Sequence, residues 1–189
     1  MKVKTATPSR GGFTLIEVVV ATILVGLALT AMMISVGSNT RVNDAGTKLT
    51  QAAFLAQEIH EWTLTLPFRD QDVGDRDNPP GPDGSNPQVW VDDLDDLMNV
   101  TFGSRSATIP SCDLPRYGPR DGQGYAITAL QAWSQTITMT WRDPNDLGHT
   151  VTNGTSDIIY VNVDVAVVIT HQTTLIVSSG WLVTRKPGE

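Results

Sequence analysis

The sequence predicts an α+β protein in which a long N-terminal helix, apolar in its first half and amphipathic in its second, packs on a small C-terminal antiparallel sheet. Three observations predict it. Val18 to Val36 is an uncharged apolar run, apolar residues continue at helical spacing to Leu66, and alternating β-branched segments fill residues 133 to 184. With 189 residues, the chain has room for one domain and one appended element.

The apolar run comes first. Its nineteen positions are Val, Ile, Leu, Met and Ala, interrupted only by Thr22, Gly26, Thr30 and Ser35. That meets the roughly 20 residues a helix needs to cross a bilayer core. Lys2, Lys4 and Arg10 precede the run, and no basic residue follows it until Arg41. The positive-inside bias therefore places the N-terminus in the cytoplasm and the remainder outside it. A secretory signal would have a shorter apolar core and a small-residue cleavage site after it, and neither is present beyond Val36. Gly26, in the middle of the run, suits either close helix packing or a point where a helix can loosen.

The stripe continues through Val42, Ala45, Leu49, Ala52, Ala56, Ile59, Thr63 and Leu66, widened by Leu55 and Trp62, with Arg41, Asp44, Lys48, Glu58 and Glu61 mostly between its members. A helix from about Phe13 to Leu64 follows, ended by Pro67. Residues 67–88 carry five prolines and three glycines without periodicity and read as loop. Asp70, Asp72, Asp75 and Asp77 could supply oxygens to Ca2+, but the spacing fails the EF-hand pattern, and solvated turns are the simpler reading of these residues. Residues 89–100 read as a short helix or strand edge, with Asp92 or Asp93 as a cap.

Three strands follow. Ile137, Met139 and Trp141 alternate with threonines in 133–144, and Ile159, Val161, Val163, Val165, Val167 and Ile169 share one face of 157–170. Residues 173–184 return after a turn at His171-Gln172. The apolar face of this sheet needs a cover, which the amphipathic half-helix can provide.

Charge and catalytic motifs mainly exclude. The first twelve residues hold three of the 13 basic residues and no acid, so the remaining ten bases face all 20 acids. Such an acidic head argues against nucleic-acid binding through phosphates. A single cysteine, Cys112, leaves no intrachain disulfide and no multi-cysteine zinc site, and a buried small side chain is its simplest reading. His60, His149 and His171 lack metal-ligand spacing, and no phosphate loop or nucleophile motif occurs, so no enzyme is expected.

One junction remains. A short basic leader ends in Gly11-Gly12 and meets Phe13-Thr14-Leu15-Ile16-Glu17 at the edge of the apolar run. This resembles the leader of type IV pilins and type II secretion pseudopilins, with a texture like that of their minor subunits. The resemblance implies cleavage between Gly12 and Phe13 by a prepilin peptidase that also N-methylates Phe13. It further implies assembly through the N-terminal helix with other pilin or pseudopilin subunits, on an inner-membrane platform. Glu17 of one subunit would then meet the protonated Phe13 amine of a neighbour and set register, since buried ion pairs specify more reliably than they stabilise. The segments expected are a leader at 1–12, a membrane or filament-core helix at 13–36, its amphipathic continuation at 37–66 and a periplasmic head at 67–189, with no required cofactor. The alternative is an exported binding module that keeps its signal anchor and never polymerises.

Overall fold

The computed structural model describes residues 12–69, 80–81, 91–103, 118–169 and 172–186. One helix, α1, runs from Leu15 to Thr65. Among the described residues five strands follow: β1 (Thr101–Gly103), β2 (Trp133–Asp143), β3 (Asp146–Thr150), β4 (Ile158–Ile169) and β5 (Gln172–Thr184). The α+β class expected from the sequence is the class observed. Two compact units divide the chain between Gly46 and Thr47.

In the first unit, α1 is apolar on every side from Val18 to Val36 and is covered on none by the described residues. Its large apolar side chains from Leu15 to Val36 range from 49% exposed at Val19 and Val20 to 85% at Leu15. Thr22, Thr30 and Thr40 return their hydroxyls to the carbonyls of Val18, Gly26 and Val36, at 2.7, 2.9 and 3.0 Å. Those hydroxyl protons are therefore satisfied within the helix, as a nonpolar surrounding requires.

In the second unit, α1 buries one face. Ala52, Leu55, Ala56, Ile59, Trp62 and Thr63 are buried, and they join a core with Trp133, Ile137, Met139 and Trp141 of β2 and Ile159, Val161, Val163, Val165 and Val167 of β4. The stripe read from the sequence begins ten residues earlier, at Val42, but Val42 and Leu49 are 67% and 54% exposed. Cover starts at Ala52. Past Thr65 the chain turns at Pro67, and Phe68 re-enters the core.

The sheet is antiparallel in the order β1-β2-β4-β5, with β3 folded back on β2 as a hairpin. β2 pairs with β4 from Trp133↔Val167 to Trp141↔Ile159, which keeps the inward positions of both strands in phase. β4 and β5 form the expected hairpin, but pairing extends to Ile169↔Gln172, so Gln172 belongs to the strand and not to the turn. Between the pairs Val165↔Val177 and Ala166↔Leu175 the register shifts, leaving Ile176 as the extra residue of a bulge on β5. Ile169, assigned to the inner face by alternation, is 45% exposed. It lies past Val167, the partner of the first residue of β2, where the sheet narrows to β4 and β5.

A loop at residues 118–127 is held against α1 by buried polar groups. Gln135, fully buried on β2, accepts the Arg120 N–H at 2.6 Å and donates to the carbonyls of Leu55 (2.8 Å) and Arg120 (3.0 Å). Glu58 accepts the Gly122 N–H at 2.6 Å. Gly124 has φ +80° and lies so close to the Trp62 ring that a Cβ would come within 2.6 Å of it, so both backbone and space call for glycine.

Candidate processing and assembly site

Gly12, Phe13 and Thr14 are exposed, non-helical and immediately ahead of α1. A proteolytic site needs extended, reachable backbone, and a helix supplies neither, so the Gly12–Phe13 bond stands on the accessible side of the boundary. Phe13 is 83% exposed, and a Cβ at Gly12 would meet nothing within 4 Å.

Thr14 makes the boundary. Its carbonyl accepts the N–H groups of Glu17 at 3.1 Å and Val18 at 3.2 Å, and its hydroxyl accepts that of Glu17 at 3.4 Å. This is an N-cap with a glutamate three residues on, the sequence pattern of a capping box. The capping role of Thr14 was legible as that four-residue spacing, although Thr14 counts in the sequence only as part of the leader junction and Glu17 as the residue expected to set register. Glu17 lies in the first turn of α1, where the helix dipole favours negative charge. Its side chain is exposed and has no ion-pair partner among the described residues. Gly26 is exposed as well, and a Cβ there would touch nothing within 4 Å, so no packing among the described residues requires a glycine at that position.

The remaining sequence-derived candidates are scattered. Asp70, Asp72, Asp75, Asp77, Cys112 and His171 lie outside the described residues. His149 is exposed on β3, while His60 packs edge-on against Trp181 of β5, with ring centroids 4.8 Å apart. Among the described residues no group of three or more His, Cys, Asp or Glu is placed to hold a metal ion. Among the described residues 91–100 a 3-10 turn spans Asp95–Leu97; its N-cap position is Leu94, and Asp93 Oδ1, one residue earlier, accepts the Asp96 N–H at 3.2 Å. Burial and the charge of Asp95 push the Asp93 carboxyl up to about 8.

An exposed junction ahead of a capped helix start with an acid in its first turn, and an apolar helix left uncovered among the described residues, are features of the class of proteins anchored in a membrane by an N-terminal helix. The prokaryotic N-terminal methylation motif matches residues 7–33, and this match together with the apolar helix is consistent with a membrane-anchored, type IV pilin-like protein. The matched motif is that of structural pilin-type proteins and not of an enzyme family. No curated protein and no solved structure matches the chain significantly.

Proposed function

We propose that the protein is a structural subunit, a minor pilin or pseudopilin, polymerised through its N-terminal helix into a type IV pilus or a type II secretion pseudopilus. The observation that carries this reading is the coincidence of an exposed Gly12–Phe13 junction with a helix that stays uncovered on all sides from Leu15 to Val36. On this reading residues 1–12 are a leader, 13–36 anchor the subunit and later form filament core, 37–66 continue the helix and 67–189 form the head.

Prepilin peptidase, acting at the cytoplasmic side of the membrane, hydrolyses the Gly12–Phe13 amide and methylates the new Phe13 amine. The inner-membrane assembly platform then brings in a second subunit. In a bundle of such helices a lone carboxylate is costly, and a protonated amine from a neighbour offsets that cost. Glu17 stands exposed one turn from Phe13 and so can reach either its own amine or a neighbour's. Because the pair forms only at one axial stagger, it selects that stagger. Gly26 lets a neighbouring helix approach closely at mid-span.

Glu17→Val tests the assembly step apart from processing. The variant should lose its leader normally yet enter co-expressed filaments at a small fraction of the wild-type level, measured by quantitative immunoblotting of sheared filaments. Uptake equal to wild type would show that Glu17 sets no register.

A further inference from the structure

β5 ends the sheet. It runs from Gln172 to Thr184, pairs with β4 along one side and meets no strand on the other among the described residues. Alternate residues of an antiparallel strand turn both N–H and C=O to each side, so this edge presents a row of backbone donors and acceptors outward. Edge strands are ordinarily blunted by charge or proline. Gln172 to Thr184 contains neither, in a chain of 13 bases and 20 acids, whereas β2, β3 and β4 each carry an aspartate. β1, at the opposite edge, offers only three residues.

The strand also presents two large exposed apolar side chains, Leu175 at 57% and Leu182 at 44%. Both lie on the face away from the core. Leu175 is opposite Ala166 and Leu182 opposite Tyr160, while Val177, Ser179 and Trp181 alternate with them, opposite the buried Val165, Val163 and Val161. Read backwards, the strand matches itself. About Ser179, Ser178 falls opposite Gly180 and Val177 opposite Trp181. The extra residue at Ile176 then steps the register by one, which sets Leu182 opposite Leu175, Val183 opposite Thr174 and Thr184 opposite Thr173. Each pair keeps to one face of the sheet. A centre one residue to either side would put Leu175 opposite Gly180 or Thr184 instead.

We propose that β5 is a self-pairing edge: the heads of two copies join antiparallel along it, about a two-fold axis at Ser179, so that Leu175 of each covers Leu182 of the other. An isologous contact demands a self-complementary patch, and this strand supplies one. Copies of a chain with a formal charge of −7 repel one another, and the uncharged edge is where two of them can approach without setting like charges side by side. The pairing uses the head alone. It is separate from assembly through the N-terminal helix and does not depend on removal of the leader.

Cross-linking of the full-length protein in detergent tests the register. In a Cys112→Ser background, a chain carrying Leu175→Cys is mixed with a differently tagged chain carrying Leu182→Cys and treated with a short thiol-specific cross-linker. The mixed product should dominate. Each variant alone should give about tenfold less dimer or lower, because two copies of position 175 would lie seven residues apart along the strands, about 20 Å. Adding Ser178→Lys to both chains, which sets two lysines diagonally across the axis, should cut the mixed product by about tenfold while the head unfolds in denaturant as a folded unit. Should that variant not fold, the ratio of mixed to self cross-links decides alone. Absence of the mixed product, self cross-links of equal yield, or a yield indifferent to Ser178→Lys would overturn the proposal.

Discussion

From Leu15 to Val36 and from Thr47 to Thr65 a single helix meets two different surroundings. The first stretch buries none of its side chains; the second buries Ala52, Leu55, Ala56, Ile59, Trp62 and Thr63. Burying one large aliphatic side chain is worth about 1.5–3 kcal/mol, so leaving a dozen of them in water is not a stable arrangement. The amphipathic stretch finds its cover inside its own chain, on β2 and β4. The apolar stretch has no such cover among the described residues, and on the proposed function it takes it from lipid or from other copies. Hydrophobicity thus identifies both stretches as needing burial, and only the pattern of polar residues tells where burial comes from.

The sharpest way to break this contrast is to shorten one side chain in each stretch. Leu55→Ala should cost the head about 2–5 kcal/mol, because a fully buried leucine leaves a cavity. Leu27→Ala, at a position 64% exposed, should leave head unfolding within about 0.5 kcal/mol of wild type. Denaturant titration in detergent, followed by tryptophan fluorescence, compares the two. Equal losses would dissolve the distinction between the stretches.

A smaller loss is expected at Gln135. Gln135→Leu fills the same space but strands the Arg120 N–H and removes a donor from two buried carbonyls. The cost should be about 1–3 kcal/mol in the same titration.

What the sequence told and withheld can be judged at such positions. The long helix and β2, β4 and β5 were readable because their apolar periods, 3.6 and 2, run for ten residues or more. β1, with three residues, and β3, Asp146-Leu-Gly-His-Thr150, carry too few apolar residues to show a period, and pairing with β2 alone makes them strands. Gln135 sits in phase with Trp133, Ile137 and Met139, so its burial was signalled by position but masked by its polarity. Asp93 left no such trace, because burial of an acid depends on which neighbours the fold brings and not on local pattern. At the N-terminus the candidate processing residues Gly12 and Phe13 could be named from sequence, whereas the helix, expected from about Phe13, starts at Leu15 because Thr14 caps it. The exposure of Val42 and Leu49 shows the limit of periodicity: a stripe states which face is apolar, not how far the cover extends.

The smallest expected effect lies at that cap. Thr14→Val removes the hydroxyl that accepts the Glu17 N–H and should weaken the first turn of α1 by about 0.5–1 kcal/mol. Faster amide exchange at Glu17 and Val18, with no change beyond Thr22, would report it. No change at Glu17 would show that the carbonyl of Thr14 alone holds the turn.

Processing at the junction ahead of that cap is the claim on which the functional reading rests, and intact-mass measurement of the protein extracted from its membrane tests it most directly. The reading predicts a chain that begins at Phe13, lacking Met1 to Gly12 and carrying one added methyl group on its new amine. A chain that retains Lys2, Lys4 and Arg10 with an unmethylated terminus would contradict it and leave a signal-anchored module that never assembles.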